Sequence, residues 1–243
     1  MFADSGKVDY EGKYSIFGQI IQHLLRNQPD MRNFCQRDAN AKAFEMKFLG
    51  EGSIDAGGPF REAFSNIGSE LMSPVLPLLI KSPNNRNDYG SYRDCYILNP
   101  APTTPSTETM YKMLGGFLGF SFLTKQPLPI NLAPFVWKQI LEEDLTLADL
   151  DDIDSYSVQV LKELQMYGPS LSDEEFEMQG QVFRTVLSNG EEVDLVEGGE
   201  SKPVTKADLR EFVDLTLKKR FTESAEAVKH IREGLKLAVN NRM

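Results

Sequence analysis

The sequence predicts a mainly helical α+β protein, and three observations support that class. Apolar residues recur every three or four positions in most segments, which is the period of an amphipathic helix. Short alternating runs predict a few strands, among them a hairpin near residue 190. With 243 residues and 41% hydrophobic content, the chain is long enough for one sizeable domain or two small ones.

These patterns place the elements along the chain as follows. In order, they are a helix at 16–25, a strand at 44–48, a helix at 60–71, a strand at 95–98, helices at 110–122, 131–141, 145–154 and 156–167, a hairpin at 182–195, and helices at 205–221 and 228–235. The segments 81–93 and 100–106 are predicted to be loops, the second because it contains three prolines.

A glycine-rich corner joins the first strand to the second helix. Gly57 and Gly58 allow positive φ where the chain reverses, and Pro59 suits a first helical turn. A phosphate-binding loop would need Lys followed by Ser or Thr after the last glycine, whereas Pro59 and Phe60 stand there. The residues therefore favour a structural corner over a nucleotide site.

The helix at 110–122 contains glycines at positions 115, 116 and 119. Because each glycine costs a helix about 1 kcal/mol, their presence predicts that another element packs against this one at close range. The next helix opens at Pro134, with Phe135, Trp137 and Leu141 available for burial.

The helix at 156–167 carries two apolar stripes. One consists of Val160, Leu164 and Tyr167, and the other of Val158 and Leu161. Both sides of so short a helix need cover, and we expect a partner protein to cover one of them.

The hairpin and the helix after it have clear local signals. Asn189-Gly190 predicts a type I′ turn between two alternating runs. Thr205 followed by Asp208 predicts a capping box at the start of the next helix, and basic residues at 218–220 suit its C-terminal end.

Charge is distributed unevenly along the chain. Residues 142–200 contain seventeen acidic and two basic side chains, a balance of −15 in a chain whose net charge is −10. An acidic protein is a poor candidate for nucleic-acid binding, and the acidic segment favours a basic protein partner. Two cysteines fit a reducing compartment, and the longest apolar run, eleven residues, is too short for a bilayer. We therefore predict a cytoplasmic protein.

The glycine corner also resembles a known signature. The run from Phe48 to Glu62, FLGEGSIDAGGPFRE, is similar to the signature near the start of the HECT domain of ubiquitin-protein ligases. Further resemblances follow in the family's order, at Tyr96-Ile-Leu-Asn-Pro, Gly115-Gly-Phe-Leu-Gly-Phe, Leu145-Thr-Leu-Ala-Asp-Leu, Val193-Asp-Leu-Val-Glu-Gly-Gly, Pro203-Val-Thr and Arg210-Glu-Phe-Val-Asp-Leu. Together they cover about residues 14–237, and the HERC-type subgroup is most similar.

The resemblance implies the N-terminal lobe of a bilobal HECT domain. Residues 1–144 would form the first part of its large subdomain, residues 145–205 a small subdomain containing the β-hairpin, and residues 206–243 the returning helices of the large subdomain. The small subdomain would dock a ubiquitin-conjugating enzyme. The C-terminal lobe, with the cysteine that accepts ubiquitin before it passes to a substrate lysine, is expected to be absent.

The family would make the full-length protein a ubiquitin transferase, whereas this chain is expected to be inactive alone. The family's cysteine follows Thr and precedes Phe, and neither Cys35 nor Cys95 has that context. We therefore predict no catalytic residue, metal or cofactor here. The predicted partners are a conjugating enzyme, ubiquitin and, through regions not present, a protein substrate, with no nucleic acid and no membrane. The alternative is a non-catalytic module that binds a conjugating enzyme or ubiquitin.

The resemblance also assigns docking residues. Leu161, Tyr167 and Phe212 fall on matching positions of the family's groove, and Leu164 and Phe176 are nearby candidates. The alternative is that these residues belong to an ordinary core. Ser157 and Thr216 stand where many members have larger apolar or aromatic residues, which predicts a shallower slot or a different conjugating enzyme.

Overall fold

The computed structural model describes residues 7–27 and 58–239. Its helices are α1 (Ile16–Asn27), α2 (Gly58–Leu71), α3 (Pro83–Asn87), α4 (Pro105–Thr124), α5 (Pro134–Leu141), α6 (Leu147–Asp151), α7 (Ser155–Tyr167), α8 (Asp173–Glu177), α9 (Leu209–Thr222) and α10 (Ala225–Val239). Its strands are β1 (Leu79–Lys81), β2 (Tyr96–Leu98), β3 (Arg184–Val186) and β4 (Glu192–Asp194). The predicted class, mainly helical α+β, is confirmed.

The chain divides into two compact units. One takes its described residues from Met1–Ile80, Pro102–Asn131 and Glu226–Met243, and the other from Lys81–Ala101 and Leu132–Ala225. The predicted insert at 145–205 falls within the second unit, and so does α9. The subdomain boundaries inferred from the family stay a prediction.

The first unit has an aromatic core beneath its helices. The ring of Phe117 on α4 lies 5.7 Å from that of Phe17 on α1 and 5.6 Å from that of Phe64 on α2. The predicted helix after the glycine corner is confirmed as α2, with Phe64, Ile67 and Leu71 buried. The corner up to Gly57 and the predicted strand before it lie outside the described residues, and α2 begins at Gly58.

The glycines of α4 allow the close helix packing that the sequence predicts. A Cβ atom added at Gly115 would collide with the carbonyl oxygen of Ile231 on α10. In the same way, a Cβ atom at Gly234 of α10 would collide with the carbonyl oxygen of Lys112 on α4. The two helix backbones approach each other because neither has a side chain at these points.

The second unit corrects the predicted loop at 81–93, which contains the short helix α3. Ser82 caps this helix, because its hydroxyl accepts a hydrogen bond from the Asn85 N–H at 3.1 Å, and Pro83 occupies the first helical position. These are standard start signals, but no apolar stripe accompanies them, so periodicity missed the helix.

The predicted hairpin is confirmed, but the predicted type I′ turn is wrong. Strands β3 and β4 pair antiparallel, with Arg184 opposite Asp194. Only Gly190 has positive φ in the turn, at 90°, whereas a type I′ turn would require it of Asn189 as well. The Leu187 N–H donates to the Glu191 carbonyl at 2.8 Å, so a three-residue loop closes the hairpin.

The expected burial of α5 is only partly correct. Phe135 is buried, but Trp137 is 39% exposed and Leu141 is 62% exposed. At 100° per residue, Trp137 and Leu141 lie about 100° around the helix from Val136 and Ile140, which are both buried. The core therefore covers only one side of this short helix.

Candidate docking surface on helix α7

Helix α7 begins at a defined cap and separates the two apolar stripes that the sequence shows. The Asp154 carboxylate accepts a hydrogen bond from the Ser157 N–H at 3.1 Å, which satisfies one of the donors at the helix start. Val158 and Leu161 are buried, as one stripe. The other side of the helix faces solvent.

The solvent-facing side carries a row of apolar residues, which we call the α7 stripe. It consists of Tyr156, Val160, Leu164 and Tyr167. Tyr167 is 60% exposed, Tyr156 and Val160 are also exposed, and Leu164 is half-buried. Spacings of four, four and three residues put them on one side of the helix. Exposed apolar groups in a row are typical of an interaction surface.

The structure divides the five predicted docking residues by burial. Leu161, Phe176 and Phe212 belong to one buried cluster, and Leu164 packs against it from the side. Tyr167 is exposed and is not part of that cluster. Three of the five thus lie beneath the surface and present little area to a partner. The assignment of all five to docking stays a prediction.

The buried cluster, which also includes Phe183, supports the helix from below. The rings of Phe183 and Phe212 meet edge to face, with centroids 6.1 Å apart. Gly168, just after α7, lies close to Phe176 and Leu209, so that a Cβ atom added there would be 3.2 Å and 3.1 Å from their side chains. The C-terminal end of α7 is therefore seated on the cluster.

Acidic residues adjoin this end of α7 in helix α8. Ser172 and Glu175 form a capping box, and these bonds from Ser172 to the Glu175 carboxylate lower the pKa of that carboxyl. Phe176 is the buried anchor of α8, whereas Asp173, Glu174 and Glu177 are exposed. The short helix thus presents negative charge beside apolar surface.

Tyr156, Met166 and Met178 were missed as exposed apolar residues near the predicted groove. Each is more than half exposed, and Met178 reaches 86%. Counting four residues back from Val160 would have found Tyr156. Met166 and Met178 belong to no stripe, so only the structure indicates that they face solvent.

The two departures from the family's pattern, Ser157 and Thr216, are a half-buried and a buried residue. The Ser157 hydroxyl donates to the Asp154 carboxylate at 2.8 Å. Thr216 is buried, and its hydroxyl has no hydrogen-bond partner among the described residues. Neither side chain adds apolar surface to the groove.

Cys95, a candidate nucleophile by residue type alone, is unsuited to that role. Its thiol is buried, and burial together with the charge of Asp94 raises its pKa. A raised pKa keeps the sulfur protonated and unreactive at neutral pH. Cys35 lies outside the described residues.

Within residues 7–27 and 58–239, no group of three or more His, Cys, Asp or Glu side chains is arranged to hold a metal ion. No helix in those ranges is both long and apolar enough to cross a bilayer.

Comparison with known proteins identifies the family of this chain. Residues 65–243 match the family model described as HECT-domain (ubiquitin-transferase). The chain is 34% identical over 225 residues to mouse E3 ubiquitin-protein ligase HERC2 and 33% identical to the human protein of that name, covering 93% of this chain. A probable human E3 ubiquitin-protein ligase, HECTD4, is 32% identical over 133 residues, or 54% of this chain.

The matched region is a small part of these relatives. The chain spans 4% of the length of either HERC2 protein and 3% of HECTD4. Both the HECT resemblance and the similarity to the HERC-type subgroup are confirmed by these matches. The chain belongs to the HECT-domain (ubiquitin-transferase) family.

Proposed function

We propose that this chain is the part of a HECT ubiquitin ligase that docks a ubiquitin-conjugating enzyme. Ubiquitin would then pass to a cysteine in a C-terminal lobe and on to a lysine of a protein substrate bound elsewhere. Within this proposal, residues 145–205 are the small subdomain that holds the docking groove. The two-cysteine composition supports a cytoplasmic location as part of the same proposal.

The observation that carries the proposal is the exposed α7 stripe. Tyr167 and Val160 present apolar surface, and Leu164 leads from that surface down to the buried Leu161 and Phe212. We assign Leu161, Phe176 and Phe212 to the floor of the groove, and Leu164 and Tyr167 to the contact with the partner. Interfaces of this kind rely on a few aromatic and aliphatic anchors surrounded by polar residues.

The surrounding charge defines the partner's chemistry. Asp173, Glu174 and Glu177 on α8 and Glu163 on α7 are exposed acids near the stripe. A complementary partner would insert an apolar side chain and surround it with basic residues. Such complementarity mainly increases the association rate and the discrimination among conjugating enzymes.

Titration calorimetry with a panel of purified conjugating enzymes tests the proposal. At least one of them should bind the wild-type chain, and Tyr167→Ala should weaken that binding by about thirtyfold, since anchor residues contribute about 2 kcal/mol. Tyr10→Ala is the matched control, because Tyr10 is also 60% exposed but lies in the other unit. Equal affinities of wild type and Tyr167→Ala would remove Tyr167 from the docking surface.

A second candidate is a module that recruits a conjugating enzyme or ubiquitin without accepting a thioester. The burial of Cys95 favours this role for the chain taken alone. Mixing the chain with ubiquitin-charged conjugating enzyme should leave no adduct that a reducing agent can release. Such an adduct on Cys35 or Cys95 would contradict our assignment of both as non-catalytic.

A further inference from the structure

A buried arginine lies in the last turn of α9, and the docking groove does not explain it. Arg220 is 2% exposed. Its Nη2 atom donates to Asp154 Oδ2 at 2.9 Å and to Ser188 Oγ at 3.0 Å, and its Nε atom donates to Glu223 Oε2 at 3.1 Å. We call these four residues the arginine cluster. It places one guanidinium and two carboxylates out of contact with water.

The arginine cluster joins three elements of the second unit. Asp154 is the N-cap of α7, so one carboxylate serves both the helix start and Arg220. Ser188 opens the hairpin turn after β3, and its N–H donates to Glu223 Oε2 at 3.1 Å while its hydroxyl donates to the same carboxylate. The start of α7, the hairpin and the end of α9 are therefore bonded to one another.

Stability alone is a weak explanation for such a cluster. Removing two carboxylates and a guanidinium from water costs free energy that their mutual attraction repays only in part, and apolar replacements are often as stable. A guanidinium, however, donates from a rigid planar fork, so its partners must approach from set directions. The cluster is better suited to holding three elements at defined angles.

The position of the cluster relates it to the α7 stripe. The C-terminal end of α9 meets the N-terminal end of α7 at Arg220 and Asp154, and further along the two helices contribute Phe212 and Leu161 to the same buried cluster. Tyr167 lies about 20 Å along α7 from Asp154, at 1.5 Å per residue. Over that length, a tilt of α7 by about 5° about its N-cap would displace Tyr167 by about 1.7 Å.

We propose that Arg220 is a positioning residue for docking, which fixes the angle of α7 against α9 and so holds the α7 stripe over its groove. This inference rests on the proposed function. Arg220 is buried and does not touch the partner, and its effect on binding passes through Asp154 and α7. A binding surface whose residues are misplaced by about 1 Å loses much of its affinity, so the residues that hold α7 in place affect binding.

The first test replaces Arg220 by Lys, which keeps the positive charge but lacks the planar guanidinium. Using the conjugating enzyme that binds the wild-type chain most tightly in the panel, calorimetry should show Kd about tenfold higher for Arg220→Lys. Adding Tyr167→Ala to Arg220→Lys should cost clearly less than the same change costs in wild type, because Tyr167 is already displaced. All measurements are made well below the unfolding transition, with folding of each variant checked by circular dichroism.

Two other variants separate positioning from general stability. Lys138→Met breaks a different ion pair of this unit, in which the half-buried Lys138 Nζ lies 2.6 Å from the buried Asp149 Oδ1, and leaves the arginine cluster intact. It should lower Tm without changing Kd. Ser188→Ala keeps every charge of the cluster but removes the hydroxyl that links Arg220 to Glu223, so it should raise Kd in the same direction as Arg220→Lys, by less.

The outcomes distinguish this inference from the proposed function. If Arg220→Lys binds as wild type does and Tyr167→Ala costs the same in both backgrounds, Arg220 is structural only and the docking proposal stands. If Arg220→Lys does not fold and Ser188→Ala binds as wild type does, the inference is likewise overturned. If the wild-type chain binds no conjugating enzyme, both proposals fail.

Discussion

At the scale of single residues, the contact between α4 and α10 depends on having no side chain at two positions. Because a Cβ atom at Gly234 would meet the Lys112 carbonyl oxygen, Gly234→Ala should lower the free energy of unfolding by about 1–3 kcal/mol, the usual cost of overpacking. Urea denaturation measures this loss. The control is Lys236→Ala, an exposed change on the same helix, which should stay within about 0.5 kcal/mol of wild type. An unchanged midpoint for Gly234→Ala would contradict the close approach.

The five docking residues illustrate what the sequence alone can and cannot predict. Helical spacing separated Leu161 from Tyr167 onto different stripes of α7 without structural information. Which stripe is covered depends on Phe176 and Phe212, which reach the helix from elements up to fifty residues away. Periodicity describes one helix at a time, so it does not specify which side of the helix is covered by neighbouring elements.

At the scale of elements, two carboxylates hold the N-terminal end of α1. The Asp9 carboxylate accepts hydrogen bonds from the N–H and hydroxyl of Ser15, at 2.8 Å and 2.9 Å. The Glu70 carboxylate, from α2, accepts from the N–H groups of Ile16 and Phe17 at 2.8 Å and 2.9 Å. The free N–H groups of the helix start are thus satisfied from outside the helix.

The two carboxylates respond to pH in opposite directions. Burial acts to raise the pKa of Asp9, but its hydrogen bonds outweigh burial and the pKa lies below the ordinary 3.8. Burial prevails at Glu70, whose pKa lies above the ordinary 4.5. The stabilisation from Asp9 is therefore complete above pH 3.8 and lost as pH falls below it, whereas protonation of Glu70 favours the folded state.

Asp9→Asn isolates the first of these effects. At neutral pH it should lower the free energy of unfolding by about 1–2 kcal/mol, because hydrogen bonds to a charged carboxylate are stronger than those to a neutral amide. Because Asp9 of the unfolded chain takes up a proton as pH falls below 3.8, before the folded protein does, the difference between the two proteins should shrink in acid. Urea denaturation at neutral pH and near pH 3 measures both. A difference that is constant with pH would show that the charge of Asp9 contributes nothing.

The misjudged elements share a physical reason. Helix α3 is held by the Ser82 cap and by contacts that its own sequence does not show, such as the Arg86 donor to the Ser188 carbonyl at 3.1 Å. In the hairpin, the Asn189 side chain accepts from the Glu191 N–H at 3.0 Å, which favours a loop other than type I′. Short elements depend on a few polar contacts, and hydrophobic patterns carry no information about them.

At the scale of the whole molecule, the uneven charge predicts how docking responds to salt. The segment 142–200 carries a balance of −15, and the rest of the chain is slightly basic. The association rate with a conjugating enzyme should fall about tenfold or more when salt is raised from low to well above physiological ionic strength, while the dissociation rate changes little. Stopped-flow fluorescence measures both rates. An association rate that is independent of salt would show that the acidic segment does not contribute to the encounter.

Ordered motifs allowed the family to be recognised from sequence, because the landmarks from Phe48 to Arg210 follow one another as the family's do. The surface that faces a partner was harder to predict, because it consists of the residues on each helix that the buried cluster leaves exposed. Tyr156, Met166 and Met178 became candidates only once their neighbours were placed.

Hydroxyl-radical footprinting with and without a saturating conjugating enzyme tests docking at helix α7 directly, since it reports the solvent contact of individual side chains. Methionine and tyrosine side chains are suitable reporters. Docking on the α7 stripe predicts that Tyr156 and Tyr167 lose reactivity on binding, while Tyr10, also exposed but in the other unit, does not change. Unchanged reactivity at Tyr156 and Tyr167, with protection at Tyr10 instead, would contradict docking at helix α7.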